Sequence, residues 1–196
     1  NVAKPSDIQN LFAETKKALG KLDVLVNNAG VYEFLPLEQV SAEHFHKQFD
    51  LNVLGLLLTT QEALKQFPET RSIINIGSVV GTSPSPGGAV YSATKAAVHA
   101  VTQSLAKELG ARKIRVNTVS PGLTETEGVK AVGFSEGDIR KNVEAHTPLV
   151  RIGQPEEIAT AAACLASDDS GWISGENFHV SGGYREHSRL YRTEDQ

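Results

Sequence analysis

Short apolar runs alternate with longer segments of helical periodicity along this chain. Unbroken apolar runs predict β-strands that are buried on both faces, at Leu22–Val26, Ser72–Ile76, Ile114–Val119 and Phe178–Val180. The segments between them place apolar residues at helical spacing. Strands that alternate with helices form βαβ units. The pattern therefore predicts an α/β fold, a doubly wound parallel sheet with helices on both faces.

Turn and capping residues delimit the predicted helices, because Pro favours the first helical turn and Gly favours the residue after the last. The stretch from Pro121 to Glu136 contains several glycines and is predicted to be largely irregular. Residues 1–184 are interpreted as one domain, with a polar C-terminal tail over residues 185–196. The predicted helices span Pro5–Leu19, Ala42–Phe67, Ala89–Leu109, Ser135–His146 and Pro155–Leu165.

A hydroxyl, a phenol and an ammonium group lie close together in the segment from Ser78 to Lys95. Tyr91 and Lys95 are four residues apart on a predicted helix, so they share one face. The lysine charge is expected to lower the pKa of the phenol, which then serves as a proton donor and acceptor near neutral pH. Ser78 follows an apolar strand, where its hydroxyl is able to hold a substrate oxygen. The tyrosine–lysine pair alone is more typical of a solvated helix face.

Asn28, Ala29 and Gly30 come directly after the first predicted strand. Open α/β sheets bind ligands at the carboxyl ends of their strands, and a glycine lets a ligand approach the backbone closely. These residues are therefore interpreted as cofactor contacts. A tight turn that needs Asn and Gly for its shape is the alternative, and both interpretations are compatible.

Composition narrows the function classes. The net charge of -4 argues against a nucleic-acid-binding protein, which usually carries a basic patch. The longest apolar stretch is about half of the ~20 residues that cross a bilayer, so no membrane partner is expected. The one cysteine, Cys164, favours a reducing, cytoplasmic location and is predicted to be a buried, inert thiol. The histidines have no partners at metal-ligand spacing, so they are predicted to lie at the surface and to bind no metal.

Several motifs in combination resemble those of the short-chain dehydrogenase/reductase family. They are NNAG after the first strand, a distant Asn52, Ser78, the YxxxK motif, and the Pro121-Gly122 corner. Their order and spacing resemble the branch of small nicotinamide-dependent oxidoreductases that includes 3-oxoacyl-carrier-protein reductases. The resemblance covers essentially the whole chain. It implies a Rossmann-like fold and hydride transfer between NAD or NADP and a small-molecule alcohol or ketone.

The resemblance implies a role for each catalytic candidate. Tyr91 is the acid–base, and Ser78 donates a hydrogen bond to the substrate oxygen. Lys95 tunes Tyr91 and binds the nicotinamide ribose, while Asn52 holds a water that links Lys95 to solvent, so that the two form a proton relay. Without the resemblance, Asn52 would be interpreted as a helix residue that hydrogen bonds to its own backbone.

The same resemblance implies further cofactor contacts. Relatives often have an aliphatic residue at the position of Thr124, so Thr124 is expected to contact the cofactor through its main chain only. Asn1 and Val2 are expected at the adenine. Together with the strand-end residues and the YxxxK pair, the predicted cofactor-binding set is Asn1, Val2, Asn28, Ala29, Gly30, Tyr91, Lys95, Pro121, Gly122, Thr124 and Thr126.

The family's glycine-rich GxxxGxG turn, which cradles the cofactor pyrophosphate at a helix N-terminus, has no counterpart here. Residue 1 aligns with the end of the family's third strand. The chain is therefore expected to lack the first two strands and most of the third, as an N-terminally truncated fragment. A catalytically inert fragment that cannot bind the dinucleotide is the alternative function. An epimerase or dehydratase of the extended branch is a further alternative, against which NNAG and the short C-terminal region argue.

Neither the choice between NAD and NADP nor the substrate follows from the sequence. The segments Tyr32–Leu35, Ser83–Gly88 and Leu123–Phe134 are expected to shape the substrate pocket. The resemblance also implies a homotetramer that packs through the helices carrying Asn52 and Tyr91.

Overall fold

A computed structural model describes residues 1–68, 70–131, 133–134 and 136–184. Its sheet has four strands, all parallel, in the order β1-β2-β3-β4. The predicted parallel sheet is confirmed, with strand ends shifted by up to two residues. The predicted tail at residues 185–196 and the predicted helix start at Ser135 lie outside the described residues. The strands are β1 (Val24–Asn27), β2 (Arg71–Ile76), β3 (Ile114–Pro121) and β4 (Asn177–Val180).

The helices follow the predicted order, with one addition in the stretch that was predicted to be irregular. They are α1 (Pro5–Leu19), α2 (Ala42–Phe49), α3 (Leu56–Leu64), α4 (Ala89–Leu109), α5 (Glu127–Ala131), α6 (Gly137–His146) and α7 (Pro155–Ala166). The added element is α5, whose start is capped because the Thr126 hydroxyl accepts a hydrogen bond from the Val129 N–H. Among the residues with assigned positions, no helix is long and apolar enough to cross a membrane.

Helices cover both faces of the sheet, as the apolar strands require. Neighbouring residues of β2 point to opposite faces, so Ile73 and Ile74 belong to different cores. The Ile73 core is closed by α1, α3 and α4, with Ile8 and Phe12 fully buried. The Ile74 core is closed by α7, mainly through Leu165. This layering brings α4 and α7 to the same sheet from opposite sides.

A polar layer crosses the sheet near its carboxyl end. Asn27 donates to Asn75 at 2.9 Å, in register on the neighbouring strand, and Asn75 donates to Thr102 of α4 at 2.8 Å. Thr102 in turn shares a 2.7 Å hydrogen bond with Thr118 of β3. Buried polar groups stabilise a fold only when they are hydrogen-bonded, and each side chain in this layer has a partner. The layer fixes α4 on the sheet beneath the strand ends.

The predicted single helix from Ala42 to Phe67 is interrupted. The backbone widens into a π-helical segment over Asp50–Gly55 between α2 and α3. Such segments are rare and persist where tertiary contacts compensate for the poorer helical geometry. Here the segment carries Asn52, which is almost completely buried and bonded to a distant loop. The 3.6-residue periodicity extends through this segment, so the sequence did not reveal it.

Candidate active site

A cleft of about 850 Å³ opens at the carboxyl ends of β1, β2 and β3, beside the first turns of α4. Ligands bind at this edge in open α/β sheets, because the loops diverge there. Residues from distant parts of the chain meet in the cleft. The predicted site residues that line it are Asn28, Gly30, Ser78, Tyr91, Lys95, Pro121, Gly122, Thr124 and Thr126.

Ser78 and Tyr91 face each other in this cleft. Ser78 follows β2 and caps a short 3₁₀ turn, where its hydroxyl accepts a hydrogen bond from the Val80 N–H at 3.4 Å. Tyr91 lies in the first turn of α4, where its hydroxyl is close enough to the Ser78 hydroxyl for that group to influence the pKa of the phenol. The two hydroxyls therefore form one polar point in an otherwise apolar part of the cleft.

The expected lowering of the Tyr91 pKa by Lys95 is not what the structure indicates. Burial raises the pKa of Tyr91 above its ordinary value; the Ser78 hydroxyl lowers it, and repulsion from the ionised form of Tyr32 raises it further. Burial dominates because the phenolate loses its hydration. The Lys95 ammonium lies 5.8 Å from the centre of the Tyr91 ring. Tyr91 is therefore a neutral phenol, and thus a proton donor, at neutral pH.

Lys95 lies one helical turn further along α4 and is buried. Its ammonium group donates a 2.9 Å hydrogen bond to the Ile76 carbonyl at the end of β2. Burial lowers the pKa of Lys95 from 10.5 to about 8, since the charged form loses hydration. A lysine with this pKa exchanges its proton more readily near neutral pH than an exposed one.

Asn52 lies behind the cleft, and its amide holds the loop after β1. The side-chain oxygen accepts from the Val31 N–H at 2.9 Å, and the side-chain NH₂ donates to the Val31 carbonyl at 2.8 Å. The same NH₂ donates to the Thr94 hydroxyl at 3.0 Å, and that hydroxyl donates to the Tyr91 carbonyl. The side-chain amide therefore forms its hydrogen bonds with other parts of the chain and not with the Asn52 backbone. It connects the loop to the helix turn that carries Tyr91.

Two of the predicted cofactor glycines stand where a side chain would be crowded. A Cβ at Gly30 would lie 3.2 Å from the Asn52 Oδ1 and 3.6 Å from the Lys95 Nζ. A Cβ at Gly122 would lie 3.0 Å from the Ser181 backbone. Both positions leave the main chain accessible from the cleft, which suits a closely approaching ligand.

The two threonines after β3 use their hydroxyls within the loop. Thr124 donates to the Gly122 carbonyl at 3.0 Å, and Thr126 caps α5. The Thr124 hydroxyl is thereby engaged, in keeping with the expectation of a main-chain contact only.

Three predicted cofactor-binding residues are not among the cleft-lining residues: Asn1, Val2 and Ala29. Val2 packs against the first core and against Gly55, whose added Cβ would meet the Val2 carbonyl at 2.9 Å. The Asn1 side chain accepts a hydrogen bond from the Ala3 N–H at 2.9 Å. The adenine contacts of Asn1 and Val2, and the cofactor contact of Ala29, stay predictions.

Other cleft residues were not identified one by one from the sequence. Tyr32 and Phe34 contact the Tyr91 ring at centroid distances of 6.1 Å and 5.7 Å, and Phe134 contacts Phe34 at 5.8 Å. They fall within the segments expected to shape the pocket, but nothing local distinguishes them from other loop aromatics. From α7, the cleft also takes Ile158, Ala159, Ala162, Ala163 and Ala166. Because α7 is rich in alanine and has no clear polar face, nothing in the sequence indicated that this helix lines the cleft.

The predictions for Cys164 and for the surface histidines were partly wrong. Cys164 is exposed, because α7 turns Leu165 rather than Cys164 towards the sheet. His44 is buried beside Gln48, and His99 is half-buried between α4, β3 and β4. Within the described part of the chain, His, Cys, Asp and Glu form no group of three or more that is suited to holding a metal ion.

Comparison with known proteins links this architecture to oxidoreductases. A family model described as enoyl-(acyl carrier protein) reductase matches residues 1–185. An uncharacterized oxidoreductase of Methylorubrum extorquens is 49% identical over 185 residues, which cover 94% of this chain and 75% of the relative. The 3-oxoacyl-[acyl-carrier-protein] reductase of Vibrio cholerae is 37% identical, again over 93% of this chain and 75% of the relative.

Solved structures agree with the sequence relatives. A Phe-to-Leu double mutant of a Serratia marcescens short-chain dehydrogenase/reductase superimposes with a TM-score of 0.87 at 32% identity, covering 93% of this chain and 74% of that one. A blue fluorescent protein from a metagenomic library, solved in complex with NADPH, gives a TM-score of 0.87 at 31% identity, covering 94% and 73%.

Proposed function

This chain belongs to the short-chain dehydrogenase/reductase family, and on that premise we propose that it is an NAD(P)-dependent oxidoreductase that interconverts an alcohol and a ketone. The observation that carries the proposal is the meeting of Ser78, Tyr91 and Lys95 in one cleft, at the edge of a parallel sheet where ligands bind. A similar structure is named as a complex with NADPH, which supports a nicotinamide cofactor for this chain.

The residues around the cleft suit the nicotinamide half of such a cofactor. Gly30 and Gly122 give a flat ligand access to the main chain, since neither position carries a side chain. Lys95 is the one charged residue among the described cleft-lining residues, and two hydrogens of its ammonium group remain for ribose hydroxyls beyond the bond to Ile76. When bound, the nicotinamide supplies or accepts the hydride.

The chain's own residues supply the proton and hold the substrate. In the reducing direction, the carbonyl carbon accepts hydride and the carbonyl oxygen accepts the Tyr91 proton, so that a C–H and an O–H bond replace the C=O π bond. Ser78 donates a hydrogen bond to the same oxygen and stabilises its developing charge. Because burial raises the pKa of Tyr91, the phenol holds its proton until the substrate takes it. Lys95 and Asn52 lie behind Tyr91 as the proposed route by which the proton is replaced.

Removal of the Tyr91 hydroxyl tests this mechanism. In the full-length protein, Tyr91→Phe should lower kcat by about 10²–10⁴-fold, the usual contribution of an acid–base group. Binding of NADH and NADPH, followed by nicotinamide fluorescence, should change by less than about threefold, because the ring and its packing remain. A Tyr91→Phe enzyme that keeps most of its turnover would refute the assignment.

A matched pair of serine variants tests the substrate-orienting role. Ser78→Ala should lower kcat/KM by about 10–10³-fold, as loss of a single donor to a developing oxyanion does. Ser104→Ala removes the same hydroxyl from the exposed face of α4, away from the cleft-lining residues, and should leave kcat/KM unchanged. Equal effects of the two substitutions would contradict a specific role for Ser78.

The predicted homotetramer is also proposed here. Phe45, Leu54 and Leu57 are large apolar side chains exposed along the run from α2 to α3, the region that the family resemblance assigned to subunit contacts. Light scattering after size-exclusion chromatography measures the assembly directly. A monomer at micromolar concentration would contradict this part of the proposal. The cytoplasmic location remains a prediction.

A further inference from the structure

An aromatic wall stands beside the Tyr91 hydroxyl. It consists of Tyr32 and Phe34 from the loop after β1 and Phe134 from the segment after α5. Tyr32 and Phe34 contact the Tyr91 ring from two sides, and Phe134 packs edge-on against Phe34 with the ring planes at 73°. Edge-to-face packing of this kind is favourable and holds the rings in fixed orientations.

Phe34 is held in place by the backbone on its other side. The Leu35 N–H donates to the Gly87 carbonyl at 2.8 Å, which joins the loop to the start of α4. A Cβ at Gly88 would approach the Phe34 ring to 3.0 Å, so a larger residue at this position would push against the ring. The wall is therefore a preformed surface, and such surfaces bind apolar groups with little entropic cost.

Charge is nearly absent from this part of the cleft. Among its described lining residues, Lys95 alone is charged, and its ammonium group points to the Ile76 carbonyl behind Tyr91. Three cations in the segments that follow β3 are paired with carboxylates: Lys130 with Glu125, Arg140 with Glu144, and Arg151 with Glu157. A carboxylate or phosphate on the substrate would therefore lose its hydration without gaining the cationic partner that such groups require.

We propose that this site reduces neutral carbonyl compounds that carry an aryl group on the reacting carbon, and that the aryl group lies against the wall of Tyr32, Phe34 and Phe134. The inference rests on the proposed function and names its substrate class. With the carbonyl oxygen on Ser78 and Tyr91, one substituent of the reacting carbon faces the aromatic wall. A flat ring fits that surface better than a methyl group does.

A set of matched β-keto compounds tests the inference with the unmodified full-length protein. The set combines a phenyl or a methyl group on the reacting carbon with an ethyl ester or a free carboxylate: ethyl 3-oxo-3-phenylpropanoate, ethyl 3-oxobutanoate and the two corresponding acids. The phenyl ester should exceed the methyl ester in kcat/KM by at least about tenfold, or about 1.4 kcal/mol. Each ester should exceed its acid by at least about tenfold.

Phenylalanine variants locate the preference. Phe134→Leu should reduce the phenyl-over-methyl ratio to below about threefold, mainly by lowering kcat/KM for the phenyl ester. Phe178→Leu makes the same substitution on β4, away from the cleft lining, and should keep the ratio of the parent enzyme.

The outcomes distinguish a wrong substrate class from a wrong assignment of oxidoreductase function. Equal rates for the phenyl and methyl esters, or faster reduction of the acids, overturn the substrate class while the oxidoreductase function stands. Failure to reduce any of the compounds, with NADH or NADPH demonstrably bound, counts against the proposed function itself. The comparison of unmodified enzyme across substrates does not depend on whether a variant folds.

Discussion

Asn52→Leu is the substitution that distinguishes a structural clamp from a purely catalytic relay. Leu has the branched shape of Asn, although it is larger, and it neither accepts nor donates hydrogen bonds. In the protein the Asn52 side chain is 3% exposed and forms hydrogen bonds with the Val31 N–H, the Val31 carbonyl and the Thr94 hydroxyl. The substitution therefore removes all of these bonds and leaves the Val31 backbone groups without their partner.

The magnitude follows from these contacts. Each of the three lost hydrogen bonds contributes about 0.5–1.5 kcal/mol net, so the free energy of unfolding should fall by about 1.5–4.5 kcal/mol. For a chain of this size that corresponds to a decrease in Tm of about 5–15 °C. Part of the loss is recovered if the loop at Val31 moves to reach water.

Thermal and urea unfolding followed by circular dichroism measure this loss. Asn10→Leu is the matched control, since Asn10 lies on the exposed face of α1, where substitutions change stability by about 0.5 kcal/mol or less. If Asn52 acted only by holding a relay water, its loss would lower kcat and leave the Tm unchanged. A Tm for Asn52→Leu within about 2 °C of the parent would refute the clamp.

Four further substitutions, one of them a control, test packing and charge by unfolding experiments. Gly77→Ala would place a Cβ 2.5 Å from the Ser120 hydroxyl and should cost about 1–3 kcal/mol, whereas Gly110→Ala meets nothing within 4 Å and should not destabilise. Burial lowers the pKa of His99 from 6.5 to about 4, so the unfolded chain binds the extra proton and stability should fall as pH drops through that window, a slope that His99→Gln should reduce. Lys95→Met should abolish turnover yet raise stability at pH 7 by up to about 3 kcal/mol, because the buried ammonium has a pKa lowered to about 8, and the gain should shrink as pH rises from about 8 to 10.5. A urea midpoint for Lys95→Met that is lower than the parent's at pH 7 would contradict this.

The fold could be predicted largely from local patterns. The apolar runs located every described strand, and Ala89–Leu109 was predicted with both ends correct, because strand and helix periodicities are properties of neighbouring residues. The π-helical segment at Asp50–Gly55 was missed, since its cause is a set of hydrogen bonds to a loop twenty residues away. The short α5 was missed because its start depends on a threonine cap rather than on apolar spacing.

The candidate site could be predicted in composition but not in physical state. The motifs shared with a known family, among them the YxxxK spacing of Tyr91 and Lys95, identified chemical groups that share the cleft, whereas the tyrosine–lysine pair alone favoured a solvated helix face. Spacing gave the wrong direction for the Tyr91 pKa, because burial outweighs the ammonium group and burial depends on the whole surrounding structure. The exposure of Cys164 was misjudged for the same reason.

Sequence alone therefore determined the order of strands and helices and the identity of the reactive groups, since both depend on residues within a turn or two of one another. The tertiary structure decided which face of each element is buried, which groups share hydrogen bonds, and how Phe34 and Phe134 form one wall from opposite parts of the chain. Burial and long-range contact are sums over residues that are distant along the chain. A short stretch of sequence does not reveal this burial or these long-range contacts. In this protein they set the pKa of the Tyr91 phenol and the shape of the pocket.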